Sequence, residues 1–124
     1  MPVEKIAKII VLFFAITESQ SEAELIVKHL MREGLIQKAL VAPSTAFMNT
    51  NNKISRGKEY ILFTMVSEQM LVSVMEAVKA KHSDPDPCML AIPVIANDSY
   101  ASNYIPTHAS ASAILEYDNG DALF

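Results

Sequence analysis

Between His82 and Met89 the chain reads His-Ser-Asp-Pro-Asp-Pro-Cys-Met, its densest run of side chains able to do chemistry. His82, Asp84, Asp86 and Cys88 are candidate metal ligands. Imidazole, carboxylate and thiolate, with the thioether of Met89 beside them, suit a soft or borderline ion such as Cu(I), Cu(II) or Zn(II). The spacing matches none of the usual zinc patterns. Each residue also has a structural reading. His82 falls where a helix should end, favourable to the helix dipole. Asp84 and Asp86 precede Pro85 and Pro87, so both are biased to extended or turn conformations. Cys88 and Met89 are consecutive, and in a strand they point to opposite faces, which makes joint ligation of one ion difficult. Cys88 with a histidine would supply a thiol nucleophile pair, but its apolar neighbours predict a buried structural thiol instead.

The other chemistry-bearing residues are more scattered. Met31, Met70 and Met75 fall on expected helices, Met48 and Met65 on an expected hairpin, and all read as core filler rather than a thioether cluster. His29 lies beside a helix stripe and is expected exposed, and His108 lies in the tail. Lys53, Arg56 and Lys58 could contact a phosphate but equally make a solvated turn. With only three glycines (Gly34, Gly57, Gly120) no Gly-rich phosphate loop can be built. No G-x-S-x-G or H-E-x-x-H motif occurs. A non-enzymatic protein without a catalytic constellation is expected.

A chain of 124 residues with one cysteine makes a single domain without an internal disulfide, in keeping with a reducing compartment. Ten basic residues against fourteen acidic ones give a net charge of −4, and none form a stripe, which argues against nucleic acid as partner. Lys5, Lys8 and the apolar run Ile9–Ile16 imitate a signal peptide. No A-x-A site follows, however, and a helix start comes at once, so a buried strand and a cytoplasmic location are expected. That run is far short of the ~20 residues of a membrane span, and no membrane partner is expected. Hydrophobic residues make up 51% and mean hydropathy is +0.23. So much apolar surface in so small a chain favours an oligomer that buries the surplus.

The elements that must position these residues follow from pattern. Lys8–Ile16 is a continuous apolar strand, as expected where both sheet faces are covered. Ser19-Gln20-Ser21-Glu22 is a capping box, followed by a stripe of Ala23, Ile26, Val27, Leu30 and Met31 and a Gly34 C-cap. Leu35–Phe47, interrupted at Pro43, and Lys53–Val66 form a hairpin about Asn49–Asn52. Ser67 caps a second helix with Leu71, Val74, Met75 and Val78 inward, ending near His82. Cys88–Ala96 is the last strand, and Pro93 inside it demands an edge, a bulge or an interruption. A helix or turn around Ser99–Tyr104 follows, and Ile114–Tyr117 could add a short strand in the tail. The order β-α-β-β-α-β predicts an α+β, ferredoxin-like sandwich, an antiparallel sheet with its helices on one face and an apolar open face. The domain core spans about 8–104 and the tail 105–124.

Along Ile9–Tyr104 the chain resembles the CutA family of divalent-cation tolerance proteins. Thr17 and Ala23 match the family's first block, and Leu35, Ala39 and Val41 the start of its second strand. Lys53-Ile54, Glu59 and Leu62 match the hairpin, and His82, Pro87, Ala91, Pro93, Val94 and Tyr100 the last block. The chain departs from the pattern in having no tryptophan, Asn52 for a glycine, Met65-Val66 for Lys-Thr, and Ser83-Asp84-Pro85 for Pro-Tyr-Glu. Asn103 or Tyr104 stands near the family's terminal tryptophan. The resemblance implies a divergent member, a compact homotrimer whose edge strands and hairpin pair between subunits, and a link to divalent cations, copper especially, without established catalysis. The alternative is a trimeric sensor similar to the PII signalling proteins, binding a small anion or nucleotide between subunits.

Overall fold

The computed structural model describes residues 8–96 and 101–106. Its elements are β1 (Lys8–Thr17), α1 (Gln20–Arg32), β2 (Leu40–Thr50), β3 (Lys53–Ser67), a 3-10 turn (Glu68–Met70), α2 (Leu71–Lys81) and β4 (Met89–Ala96). The strands make one sheet in the order β2-β3-β1-β4, with every neighbouring pair antiparallel. This is the expected ferredoxin-like arrangement. The expectations at Lys5, Ser99–Tyr100, His108 and Ile114–Tyr117 lie outside the described residues.

The sheet's two-residue period divides the core. On one face Val11, Phe13 and Ala15 of β1 and Leu62 and Val66 of β3 are buried against Ile26 and Leu30 of α1 and Val74 and Val78 of α2. On the other face Ile10 and Met65 are buried beneath Ala101 and Tyr104, with Leu12, Val94 and Ile105 packed around them. That cover is one helical turn, in which the Tyr104 and Ile105 N–H groups both donate to the Ala101 carbonyl. It reaches only one end. Leu90, Ile92 and Leu40, farther along the same face by register, stay exposed, and the Phe14 and Phe63 rings meet there at 5.6 Å.

Helix α1 ends in a full Schellman motif. Gly34 has φ of 74°, its N–H donates to the Met31 carbonyl, and the Leu35 N–H reaches back to Leu30. That closure turns Leu35 and Ile36 into the core, so β2 begins at Leu40 and not at the expected Leu35. The connector is then tied down by polar contacts. Gln37 N–H donates to the Tyr104 carbonyl at 2.8 Å, and the buried Thr64 hydroxyl donates to the Lys38 carbonyl at 2.6 Å. Apolar spacing alone reads Leu35–Phe47 as one strand because the first two side chains are buried by a different element. Three smaller expectations also change. Met31 lies at the stripe's exposed margin, His29 is half-buried, and Ser67 makes no side-chain cap, since the 3-10 turn intervenes before α2.

The hairpin closes through Asn51 and Asn52, both at positive φ, between the paired residues Thr50 and Lys53. This is the two-residue turn whose twist matches that of the strands it joins. Strand β1 ends opposite Tyr60, so Ser44–Thr50 and Lys53–Glu59 continue as a two-stranded ribbon beyond the sheet. Phe47 is 67% and Ile54 75% exposed on it.

Burial separates two phenylalanines sharply. Phe13→Ala, at a fully enclosed site, should cost about 3–5 kcal/mol in urea unfolding. Phe47→Ala should leave protomer stability within about 0.5 kcal/mol.

Candidate functional site

The His82–Cys88 segment connects α2 to β4 and crosses the start of α1. His82 is the residue that caps α2, its N–H donating to the Val78 carbonyl. Its side chain is only 3% exposed. The ring Nε2 lies 2.7 Å from the Ile16 carbonyl, and the Asp84 N–H donates to Nδ1 at 3.0 Å. An amide N–H can only donate, so Nδ1 is the acceptor and Nε2 carries the proton. The ring is held as the neutral Nε2–H tautomer with both nitrogens occupied. Ile16 N–H donates to the Cys88 carbonyl at 3.2 Å. The imidazole therefore supplies a donor to Ile16 at the rung where the β1–β4 ladder ends.

Glu22 is the second anchor. The capping box forms by half: the Ser19 hydroxyl accepts from the Glu22 N–H at 3.1 Å. Glu22 returns one carboxylate oxygen to the Glu18 N–H at 3.4 Å, one residue before the cap. The other oxygen accepts the Ser83 N–H at 2.6 Å and lies 3.5 Å from His82 Nδ1. Glu22 and His82 thus receive two successive amides, Ser83 and Asp84, and hold the connector against α1 and β1. Burial alone would raise the Glu22 pKa. The Ser83 backbone and side-chain hydrogen bonds and the Glu18 N–H outweigh it, so the net shift is below the ordinary carboxylate value of 4.5.

The remaining candidates lie along an exposed loop. Asp84 accepts the Asp86 N–H at 2.9 Å, an Asx-type turn that sets the approach to the buried Pro87. Asp84, Asp86 and Cys88 are all exposed. The buried thiol expected from the apolar neighbours of Cys88 is therefore corrected: the residue precedes β4, the edge strand of the sheet, and lies opposite Ile16 on the open face. Among the described residues, no three His, Cys, Asp or Glu side chains stand together to hold a metal ion. Tyr100 lies outside the described residues. Glu22 is the functional neighbour that sequence reasoning missed. The capping box singled it out, but a local motif carries no sign of a partner 61 residues away. Lys53, Arg56 and Lys58 lie on the ribbon, and the last two border a shallow depression of about 460 Å³ with Glu18, Ser55 and Glu59.

The lowered Glu22 pKa has a defined consequence. A carboxyl whose folded pKa is depressed contributes stability above its unfolded pKa, and that stability is lost as pH falls through the folded value. The wild type should therefore lose stability on acidification below about pH 4.5, and Glu22→Gln should flatten that limb in denaturant titrations at several pH values. His82→Phe should cost about 1–3 kcal/mol at neutral pH, because it strips a partner from both the Ile16 carbonyl and the Asp84 amide.

The fold and this connector can be set beside known proteins. The family described as CutA1 divalent ion tolerance protein matches residues 11–107. The divalent-cation tolerance protein CutA of Archaeoglobus fulgidus is 32% identical over 76 residues, 61% of this chain and 74% of the relative. The solved structure of CutA from that organism, described as periplasmic, is 26% identical with a TM-score of 0.66, covering 75% of this chain and 92% of the other. CutA from Xylella fastidiosa, at 20% identity and a TM-score of 0.69, covers 82% and 98% and shows likeness of fold alone. The family match spans most of the sheet, both helices and the connector, and the chain belongs to the CutA1 divalent ion tolerance family.

Proposed function

We propose that this protein works without catalysis, as a cytoplasmic homotrimer in divalent-cation tolerance, with copper the leading cation. The observation that carries the trimer is the incompletely covered sheet face. Leu90 is 57% and Ile92 46% exposed there, in line with the half-buried Phe14 and Phe63. The ribbon adds Phe47, Met48 and Ile54 beyond the sheet. Burying apolar area of this kind contributes roughly 25 cal/mol per Å², and self-association is the simplest way to bury it. A lone thiol supports a reducing compartment for this chain.

The cation reading follows the family, with the residues here constraining how a cation would be met. His82 uses both nitrogens on backbone groups, which leaves Asp84, Asp86 and Cys88 as the exposed donors of the segment. Thiolate and carboxylate together favour copper or zinc over magnesium. Ligation from one chain would be incomplete, so a second copy would have to complete the set. A sensor of PII type, taking a small anion at the ribbon, is the second reading, favoured by Arg56 and Lys58 at the shallow depression and weakened by Glu18 and Glu59 beside them.

Light scattering should give three times the 13.6 kDa of one chain. Leu90→Glu with Ile92→Glu should shift the mass to a single chain while the helix signal in circular dichroism persists. A wild type that stays at the single-chain mass over micromolar concentrations would refute the assembly. In calorimetry Cu(II) should bind and Cys88→Ser should weaken it. Stabilisation by ATP or phosphate, with no response to Cu(II), would favour the sensor, since a ligand raises stability by mass action.

A further inference from the structure

The two strand prolines occupy equivalent places. The Asn51-Asn52 turn makes Thr50 and Lys53 a hydrogen-bonded pair, and such pairs alternate along an antiparallel ladder. Counting back along β2, Met48, Ala46, Ser44, Ala42 and Leu40 bond inward to β3. Pro43, with Val41, Thr45, Phe47 and Asn49, turns its backbone polar groups outward. On the opposite side, Ile16 N–H bonds to the Cys88 carbonyl, so Leu90, Ile92 and Val94 bond inward to β1. Pro93, with Met89, Ala91 and Ile95, faces outward. The phases agree across β1, whose even-numbered residues serve β4 and whose odd-numbered residues serve β3. Neither proline costs the sheet an internal rung, and both are exposed on the outer edges of the described sheet.

We infer that Pro43 and Pro93 guard the two edges against open-ended pairing with further copies of this chain. An edge strand presents a row of donors and acceptors that templates another strand. At each proline the row lacks a donor, and the ring stands where an incoming strand's carbonyl would lie. On β4 the break leaves only Met89 and Ala91 on one side and Ile95 on the other. On β2 it separates Val41 from the ribbon residues Thr45, Phe47 and Asn49. Two edges of opposite sides on one molecule can propagate without limit when both are open, because a head-to-tail contact that does not close makes a filament. With both rows interrupted, any pairing between copies is confined to short segments.

The test uses the full chain with Pro43→Val, Pro93→Val, the double variant and Pro93→Lys. Light scattering and thioflavin fluorescence are followed against protein concentration. The valine variants, the double most of all, should form sheet-rich species that grow with concentration, while the wild type keeps a fixed mass. Pro93→Lys restores the donor but places a charge on the edge, another way of blunting it, and should keep the wild-type mass. Valine variants that keep the wild-type mass at every concentration overturn the inference. So does a Pro93→Lys variant that aggregates as readily as Pro93→Val, since lost protomer stability would then explain both. Thermal melts of each variant identify any that fail to fold, in which case the Pro43→Val arm on the other edge decides.

Discussion

Strand β1 presents apolar side chains to both faces of the sheet, and the two described helices, α1 and α2, cover only one. Val11, Phe13 and Ala15 lie under α1 and α2, whereas Ile10, Leu12, Phe14 and Ile16 point the other way. A central strand apolar on both sides is stable only if both sides are removed from water. Much of the remaining structure answers that requirement. The turn at Ala101–Tyr104 covers Ile10 and Met65, and the connector at Leu35–Ile36 seals the end of the helical layer. What the described residues leave uncovered is the region around Leu90, Ile92 and Leu40, on which the proposed assembly rests.

The legible part of the fold was the part governed by local periodicity. The β1 run, the stripe of Ala23, Ile26 and Leu30, the asparagine turn and the Gly34 cap all depend on residues within a few positions of one another, and the structure has them at or near the expected places. Pro93 was legible as well, because the absence of an N–H is a property of the residue wherever it lies. The start of β2 was not. Leu35 and Ile36 have the hydropathy of a strand, but the Schellman closure makes them core plugs, and the polar ties of the next residues, Gln37 and Lys38, run to Tyr104 and Thr64, far along the chain.

The candidate site was legible in composition and not in arrangement. His82, Asp84, Asp86 and Cys88 are adjacent in sequence, yet the connector sets them to different tasks. His82 is drawn inward by a carbonyl of β1, Asp84 shapes a turn, and Cys88 is turned to solvent. Proximity in sequence did not imply convergence because a short proline-punctuated segment fixes backbone direction residue by residue. The long-range partner that decides the geometry, Glu22, sits on another helix.

The same contacts explain why a histidine in this position stabilises the connector in its neutral form. A ligand imidazole must offer a lone pair to the metal, and a charged imidazole must offer two donors. Here Nδ1 already receives the Asp84 amide and Nε2–H already meets the Ile16 carbonyl. Removing the Nε2–H bond would leave the Ile16 carbonyl without its partner at the end of the β1–β4 ladder, at a cost of about 1–3 kcal/mol. Under the proposed cation role, an ion would meet the exposed carboxylates and thiol without dismantling the sheet, whereas recruiting His82 would first require the last rung of β1 to open. Of the four candidate ligands, His82 is the one the fold can least release.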